Sequence, residues 1–354
     1  MEISFEKADI KHQVDIFKWL EEEHVKEFWD NSQEHKDDLL IFLNGRKKES
    51  SYLEGRYSYW IALIDNIPFS LIMTVKETID MEREPIKNAA LSKTGRTYSI
   101  DYMIGNIAYV GKGFVAKTLE NFIEYFRKEI DSHADVFFID PNANNPKALH
   151  VYKHVYKKAG FKHFGSFTMN TGVFVGLETD FLIKKFAPKI QIIPATLDDY
   201  PAVTNLSKFY DYEMSRFCSF MSDEGLTPEN GLYETYDYKK SFIEENRKVY
   251  LIRVNEELSG FILLRKEHKT TIIDEFFVIA KFQGKGISSI AAKDIFKMHP
   301  GPWEVTVIPE NIIALKFWRK TISKCTEETY IEKLKKIDRD KNQSKRHFFN
   351  FNIK

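Results

Sequence analysis

Short apolar runs alternate along this chain with stretches in which apolar side chains return every three or four positions, and the whole alternation is met twice. In the first pass, Lys7 to Leu20 carries Ile10, Val14, Phe17 and Leu20 and predicts a helix. Lys36 to Gly55 predicts a helix followed by a loop. Tyr59–Ile64 and Pro68–Val75, joined by Asp65-Asn66, predict a hairpin. Thr78 to Thr97, rich in charge and small residues, is expected to be a surface loop over the substrate. Ile100–Ile104 predicts a buried strand, and beyond Gly111-Lys112-Gly113 the spacing of Val115, Leu119, Phe122 and Phe126 predicts a helix. Ala134–Ile139 is the next strand. It runs into the turn residues Asp140 to Asn145, then a helix with Pro146 in its first turn, Ala148, Val151, Tyr152, Val155 and Tyr156 on one face, and Gly160 at its end. Phe161–Met169 and Thr171–Phe186 predict a closing hairpin.

Ala187-Pro188-Lys189 is the expected boundary, giving domains 1–187 and 188–354. The pattern then restarts: a helix over Leu197–Arg216, a polar loop over Ser222–Glu234, and a hairpin of Val249–Val254 and Leu258–Leu264. A strand over Thr270–Val278 leads to a helix over Gly284–Met298, then a strand over Trp303–Val307 and a short helix with Ala314, Phe317 and Trp318. A basic loop over Lys336–Arg346 precedes a last strand over His347–Ile353. Strands alternating with helices make the class α/β.

The 354 residues suffice for two domains of ordinary size. Lys and Arg together equal Asp and Glu at 52 each, so no bulk field recruits nucleic acid or an anionic membrane. Cys218 and Cys325 are the only cysteines, which gives no disulfide framework and points to a reducing compartment, the cytoplasm. The first ten residues alternate charged and apolar positions and do not read as a signal peptide. His150 and His154 stand four apart on a predicted helix but lack a third ligand, so no metal is expected.

Chemistry concentrates where a strand turns into a helix. Gly111-Lys112-Gly113 and Gly284-Lys285-Gly286 each lie between a strand and a helix, and in each half an aspartate, Asp101 or Asp274, precedes the last glycine by 12 residues. Glycine allows the backbone to turn sharply and a ligand to approach it, and the free N–H groups of a helix start bind phosphate. Two such turns at one offset point to duplication of a phosphate-binding unit. Phe28-Trp29-Asp30 has two readings that the residues leave open, the lining of a cationic pocket through Trp29 and Asp30, or a packed helix–loop corner.

The arrangement resembles the GNAT superfamily of N-acetyltransferases, whose phosphate turn follows Gln/Arg-x-x-Gly-x-Gly/Ala. Gln283, Gly286 and Ser288 come close to it; Val110, Gly113 and Val115 depart at both ends but keep Gly111-Lys112-Gly113. A second family element, Asn-x-x-Ala-x-x-x-Tyr, is matched by Asn145, Ala148 and Tyr152, and by Asn311 and Ala314 with Trp318 in the tyrosine place. Trp19-Leu20, His24-Val25, Trp29, Ile100-Asp101, Tyr109 to Gly113 and Asp140-Pro141 make the first half similar to aminoglycoside 6′-N-acetyltransferases and their siderophore-acetylating relatives. The extra turn before Gly160-Phe161 leaves Tyr152 and Tyr156 both open as the active-site tyrosine.

The resemblance implies two tandem domains, each a mixed, mostly antiparallel sheet split at its centre and flanked by helices, with acetyl-CoA in the split. Met103 and Ile104 would pair with the pantetheine arm or stabilise the oxyanion. Amides of Gly111, Lys112, Gly113, Phe114 and Val115 would hold the pyrophosphate, with Asn145 nearby. In the second half Phe277, Val278, Gln283, Gly284, Lys285, Gly286, Ile287, Ser288 and Asn311 would do the same, and Glu275 is its candidate base. Asp101 and Asp140 would bind the cationic amine and share its proton with water, since a carboxylate of ordinary pKa is a mediocre base toward an ammonium. Tyr152 would protonate the leaving thiolate. The implied activity is acetylation of a primary amine on a cationic small molecule, aminoglycoside-type first, with siderophore hydroxylamine, polyamine and peptide amine as rivals. The second half is either catalytic or an acetyl-CoA-binding module without turnover. The expected assembly is a monomer with pseudo-dimeric halves or a homodimer.

Overall fold

The computed structural model describes residues 2–79, 85–140, 156–169, 177–218, 231, 233, 237–337 and 343–354. The chain divides into two compact units, Met1–Ala187 and Pro188–Lys354. The first is built on strands β1 (Ile3–Lys7), β2 (Ser58–Ile64), β3 (Ile67–Glu77), β4 (Arg96–Ile104), β5 (Ala134–Ile139), β6 (Lys162–Met169) and β7 (Leu177–Lys185), in the order β1-β2-β3-β4-β5-β7-β6. The second is built on β8 (Ile190–Pro194), β9 (Arg247–Val254), β10 (Glu257–Glu267), β11 (Thr270–Val278), β12 (Gly301–Val307), β13 (Tyr330–Lys336) and β14 (Lys345–Ile353), in the order β8-β9-β10-β11-β12-β14-β13. The two orders are the same, element for element. In each sheet the fourth and fifth strands pair in parallel and the other pairs are antiparallel.

The parallel pair is where each sheet opens. β4 meets β5 only from Arg96 to Ser99, and β11 meets β12 only from Thr271 to Ile273. Among the described residues, the carboxyl halves of β4 and β11 therefore have a sheet partner on one side alone. On one face of the first sheet, Leu119, Phe122 and Ile123 of the helix Phe114–Tyr125 pack with Ile100, Phe137 and Ile139. On the other face, Trp19 and Leu20 of the helix Gln13–Leu20 pack with Tyr59, Leu71, Met73 and Met103. The second sheet repeats this: Ala291 and Ile295 of the helix Ile287–Met298 lie on one face with Ile273 and Val278, and Val203 and Leu206 of the helix Tyr200–Ser215 lie on the other with Phe261 and Phe277.

Several elements differ from the sequence reading. β1, β8 and β13 were not foreseen. β1 and β13 lie at sheet edges, and β13 carries Lys333, Lys335 and Lys336, charges that keep an open edge from recruiting other strands but mask a strand in the sequence. The first helix also buries another face. Ile10 and Val14 are 52% and 78% exposed, while Ile16, Trp19 and Leu20 are buried. The cause is a 3₁₀ turn, Ile10–His12, capped by Asp9, which resets the phase before the helix begins. The segment 78–97 is not all loop, since it contains the short helix Pro85–Ala90 and the start of β4. The helix that follows Asn311 is Ile312–Cys325, 14 residues rather than a short one. Among the described residues no helix is long and apolar enough to cross a membrane.

Candidate active site

The glycine-rich turns have the backbone that an anion site requires. Gly111 and Gly113 have φ of +75° and +78°, Gly284 and Gly286 of +71° and +81°, and a Cβ at any of the four would meet nothing within 4 Å. Gly113 and Gly286 are the residues immediately before the two helices, and neither helix start receives a side-chain cap. The first N–H groups of Phe114–Tyr125 and Ile287–Met298 are therefore left without an intrachain cap, beside open space. Lys112, Phe114, Val115, Lys285, Ile287 and Ser288 lie in these turns or first helical turns. Gln283 is committed elsewhere: its Nε2 donates to Val278 O at 2.7 Å and to Glu213 Oε2 at 2.9 Å, tying the turn back to β11.

Asp101 lies on β4 just past its last contact with β5, opposite Met73 of β3. Strand alternation puts it on the face of Met103, the face of Trp19, Tyr59 and Trp29. Burial pushes its carboxyl up to about 7; Asp140 and Glu77 push the same way and Lys87 opposes them. The expectation assumed a carboxylate of ordinary pKa, and a raised carboxyl is better matched to taking a proton at neutral pH. Around it stand residues that no motif announced. Tyr52 and Tyr57 stack at 5.8 Å between ring centroids, and the charge of Asp101 adds to burial in raising the pKa of both phenols. Glu77, at the end of β3, contributes to the same field. Such positions come from different loops and strand ends, so no local spacing could have marked them.

Asp140 follows β5 directly. Its Oδ2 accepts from Lys87 Nζ at 2.6 Å, with both side chains largely buried, and Lys87 also lies 4.9 Å from the centre of the Phe167 ring and 5.7 Å from that of Phe138. The helix Pro85–Ala90 thus brings a cation of the chain itself to one of the two expected acids. Asp30 Oδ2 accepts from Tyr52 OH at 2.8 Å, and its Oδ1 accepts from the Ser32 N–H at 2.9 Å. Trp29 packs against the core of this face, and its ring lies 6.3 Å from His35, which is the packed-corner arrangement of the two open readings. At the end of β4, Ile104 O is 2.9 Å from His24 Nε2, and the Trp19 ring covers Gly105 so closely that a Cβ there would fall 2.1 Å from it. Tyr156 is buried on the opposite face with Phe122 and Phe161. Asn145, Tyr152, His150 and His154 lie outside the described residues.

In the second half, pairing decides which acid matches Asp101. In the first sheet Ser70, Leu71, Ile72 and Met73 face Ile104, Met103, Tyr102 and Asp101; in the second Gly260, Phe261, Ile262 and Leu263 face Val278, Phe277, Phe276 and Glu275. Glu275 therefore takes the place of Asp101. Asp274, which the equal sequence offset selected, sits at a register shift between Leu263 and Leu264 and is held by Arg247 at 3.2 Å and Arg265 at 3.1 Å. Glu275 accepts from Tyr238 OH at 2.9 Å and 3.1 Å through its two oxygens. Asn311 caps the helix Ile312–Cys325, accepting from the Ala314 N–H at 2.9 Å, and Trp318 is buried beside Phe276 and Phe296. Among the described residues no three His, Cys, Asp or Glu are grouped to hold a metal.

Two family models match the chain. One described as acetyltransferase (GNAT) domain covers residues 9–169, and one described as acetyltransferase (GNAT) family covers residues 211–322. Among solved structures, an aminoglycoside N(6′)-acetyltransferase from Legionella pneumophila is 23% identical, covers 52% of this chain and 94% of its own, and has a TM-score of 0.39. The aminoglycoside acetyltransferase AAC(6′)-Ib, with coenzyme A and kanamycin, is 18% identical over 52% of this chain and 95% of its own at a TM-score of 0.40. A GNAT acetyltransferase from Streptococcus pneumoniae is 14% identical over 52% of this chain and all of its own at 0.36. Likeness at this level transfers no substrate.

Proposed function

This chain belongs to the GNAT acetyltransferases, and on that premise we propose that its N-terminal domain moves an acetyl group from acetyl-CoA to a primary amine of a cationic small molecule. Acetyl-CoA is the second substrate and supplies the activated thioester. The residues present fit it: two open glycines, a helix start with no side-chain cap, and a strand edge left without a partner beyond Ser99. The amides from Gly111 to Val115 would hold its diphosphate, and those of Met103 and Ile104 lie on the strand that borders the opening.

The observation that carries the proposal is the place of Asp101, past the last β5 pairing at the open end of the split sheet and on the face of Met103, Trp19 and Tyr59, where burial pushes its carboxyl up. Its role is to draw in the ammonium and accept one of its protons, so that a neutral amine reaches the thioester. The Tyr52 and Tyr57 rings and Asp30 supply aromatic faces and charge for a cation. An aminoglycoside-type amine is the first acceptor to try, on the resemblance of Trp19-Leu20, His24-Val25 and Tyr109 to Gly113 in this sequence. The test is release of CoA thiol across a panel of kanamycin, spermidine, a hydroxylamine siderophore and a peptide amine. Absence of release with every primary amine in the panel, with acetyl-CoA bound, overturns the proposal.

Lys87 adds a sharper expectation. Its charge opposes the rise of the Asp101 pKa and occupies Asp140. Replacing Lys87 by Met removes that opposition, so the rising limb of kcat/KM against pH moves upward by about half a unit or more. It also frees Asp140, so KM for a dication falls relative to that for a monocation. An unmoved limb and an unchanged KM ratio would show that Lys87 has no part in the site.

A separate count concerns the donor. Titration calorimetry with CoA should give two sites per chain, because both turns carry the same glycine geometry. One site per chain would mean that only one turn takes the diphosphate.

A further inference from the structure

We propose that the chain acetylates itself: Lys87 is an internal acceptor, and its Nζ takes the acetyl group from acetyl-CoA seated in the first split sheet. This rests on acetyl-CoA as the donor at that split and not on which free amine the site takes.

Strand pairing fixes where Lys87 lies. β4 and β5 last pair at Ser99 and Phe138, and each chain segment carries an aspartate two residues further on, Asp101 and Asp140. The two carboxyls therefore flank the opening at one level. Paired residues of neighbouring strands share a face, and so do residues two apart, so Asp101 and Asp140 belong to the face of Phe138 and Met103. The helix Pro85–Ala90 is anchored on that face by Ile86 and Ala90, which pack with Phe138 and Phe181. It sends Lys87 Nζ to 2.6 Å from Asp140 Oδ2, over the rings of Phe138 and Phe167. The same charge is felt by Asp101 on the other side of the opening. A nitrogen of the chain itself is thus held on the acceptor face, at the level where the two strands part.

Accessibility separates this lysine from the others. Its side chain is 17% exposed, against 82% for that of Lys128. Acetyl-CoA acting from free solution would modify Lys128 first, so a preference for Lys87 requires donor bound at the split. A lysine nitrogen is protonated most of the time at neutral pH, which slows the transfer, while fixed proximity raises its effective concentration by orders of magnitude. The step balances. The ammonium gives one proton to water, the nitrogen lone pair forms the C–N bond, and the C–S bond breaks to a thiolate that takes a proton from water. The nitrogen then releases its second proton to solvent. One acetyl-lysine, one CoA thiol and one net proton result. The acetylated side chain has lost its charge, so Asp140 loses the cation it now holds.

The experiment incubates the full chain with acetyl-CoA and no added amine, and follows acetyl groups by peptide mass spectrometry. Lys87 is expected to be acetylated at least tenfold faster than Lys128, at a rate per chain that does not depend on protein concentration. Excess CoA, which competes for the donor seat, should slow Lys87 at least fivefold and leave Lys128 unchanged. Unfolding the chain in urea should erase the preference, and Lys87→Arg should abolish the single burst of thiol that accompanies it. Acetylation of Lys87 no faster than that of Lys128 in the folded chain overturns the proposal. So does a rate that rises in proportion to protein concentration, which would mean transfer between chains. If kanamycin or spermidine is turned over while Lys87 stays unmodified, self-acetylation falls and the proposed function stands. If Lys87 is modified and no free amine is, the inference stands and that function falls.

Discussion

Replacing Asp101 by Asn is expected to lower kcat/KM for the amine by about 100- to 10,000-fold, the range that general bases contribute, with CoA binding retained. The same change stabilises the protein at alkaline pH, and the sign follows from where the carboxyl sits. Its folded value, about 7, lies above the ordinary 3.8. A carboxyl raised on folding holds its proton more tightly in the native state, so its ionisation opposes folding. That cost is absent below about pH 4, grows as pH rises to about 7, and is complete above it. An amide avoids it and keeps the shape. Discounted for partial exposure, the gain is about 2 kcal/mol at pH 8 and close to zero at pH 4. Paired denaturant titrations at the two pH values, run beside the thiol assay, read both effects. A variant that is stabilised yet turns over normally would place Asp101 in the fold and outside the chemistry.

The second large effect is structural. Gly260→Ala is expected to destabilise the C-terminal domain by more than about 3 kcal/mol, since overpacking against an immobile neighbour is among the few mechanisms that reach such values. A Cβ at Gly260 would lie 2.0 Å from Phe277 O and 3.0 Å from its carbonyl carbon. These are backbone atoms of β11, the strand that carries Glu275, and they cannot swing aside as a side chain would. Gly286→Ala makes a useful contrast. Its cost is the left-handed backbone at φ +81° with open space around the Cβ, about 1–2 kcal/mol. The order of the two midpoints in urea tests the argument; a Gly260→Ala protein as stable as Gly286→Ala would contradict it.

The periodicity of apolar residues marked most strands and helices because burial on a sheet or a helix face leaves a local repeat. Thr270–Val278 was legible to the residue. The hairpin turn Asp65-Asn66 was legible as well, and both residues adopt the positive φ that such turns demand. β1 and β13 were not, because an edge strand is selected for charge as much as for apolar alternation. The phase of the first helix was lost to a single 3₁₀ turn.

The sequence by itself determined the duplication, the two glycine turns and Asp101, because each rests on backbone freedom or on spacing within a short stretch. Tertiary structure alone decided the rest of the site. Lys87 reaches Asp140 across 53 residues of chain, the segment before β2 brings Tyr52 and Tyr57 within the electrostatic reach of Asp101, and the strand pairing aligns Glu275, already the candidate base of the second half, with Asp101. The raised carboxyl pKa that supports the base role proposed for Asp101 is likewise a product of burial and of neighbouring charges brought together by the fold. Coulomb forces and desolvation act through space, so no reading along the chain could have supplied them.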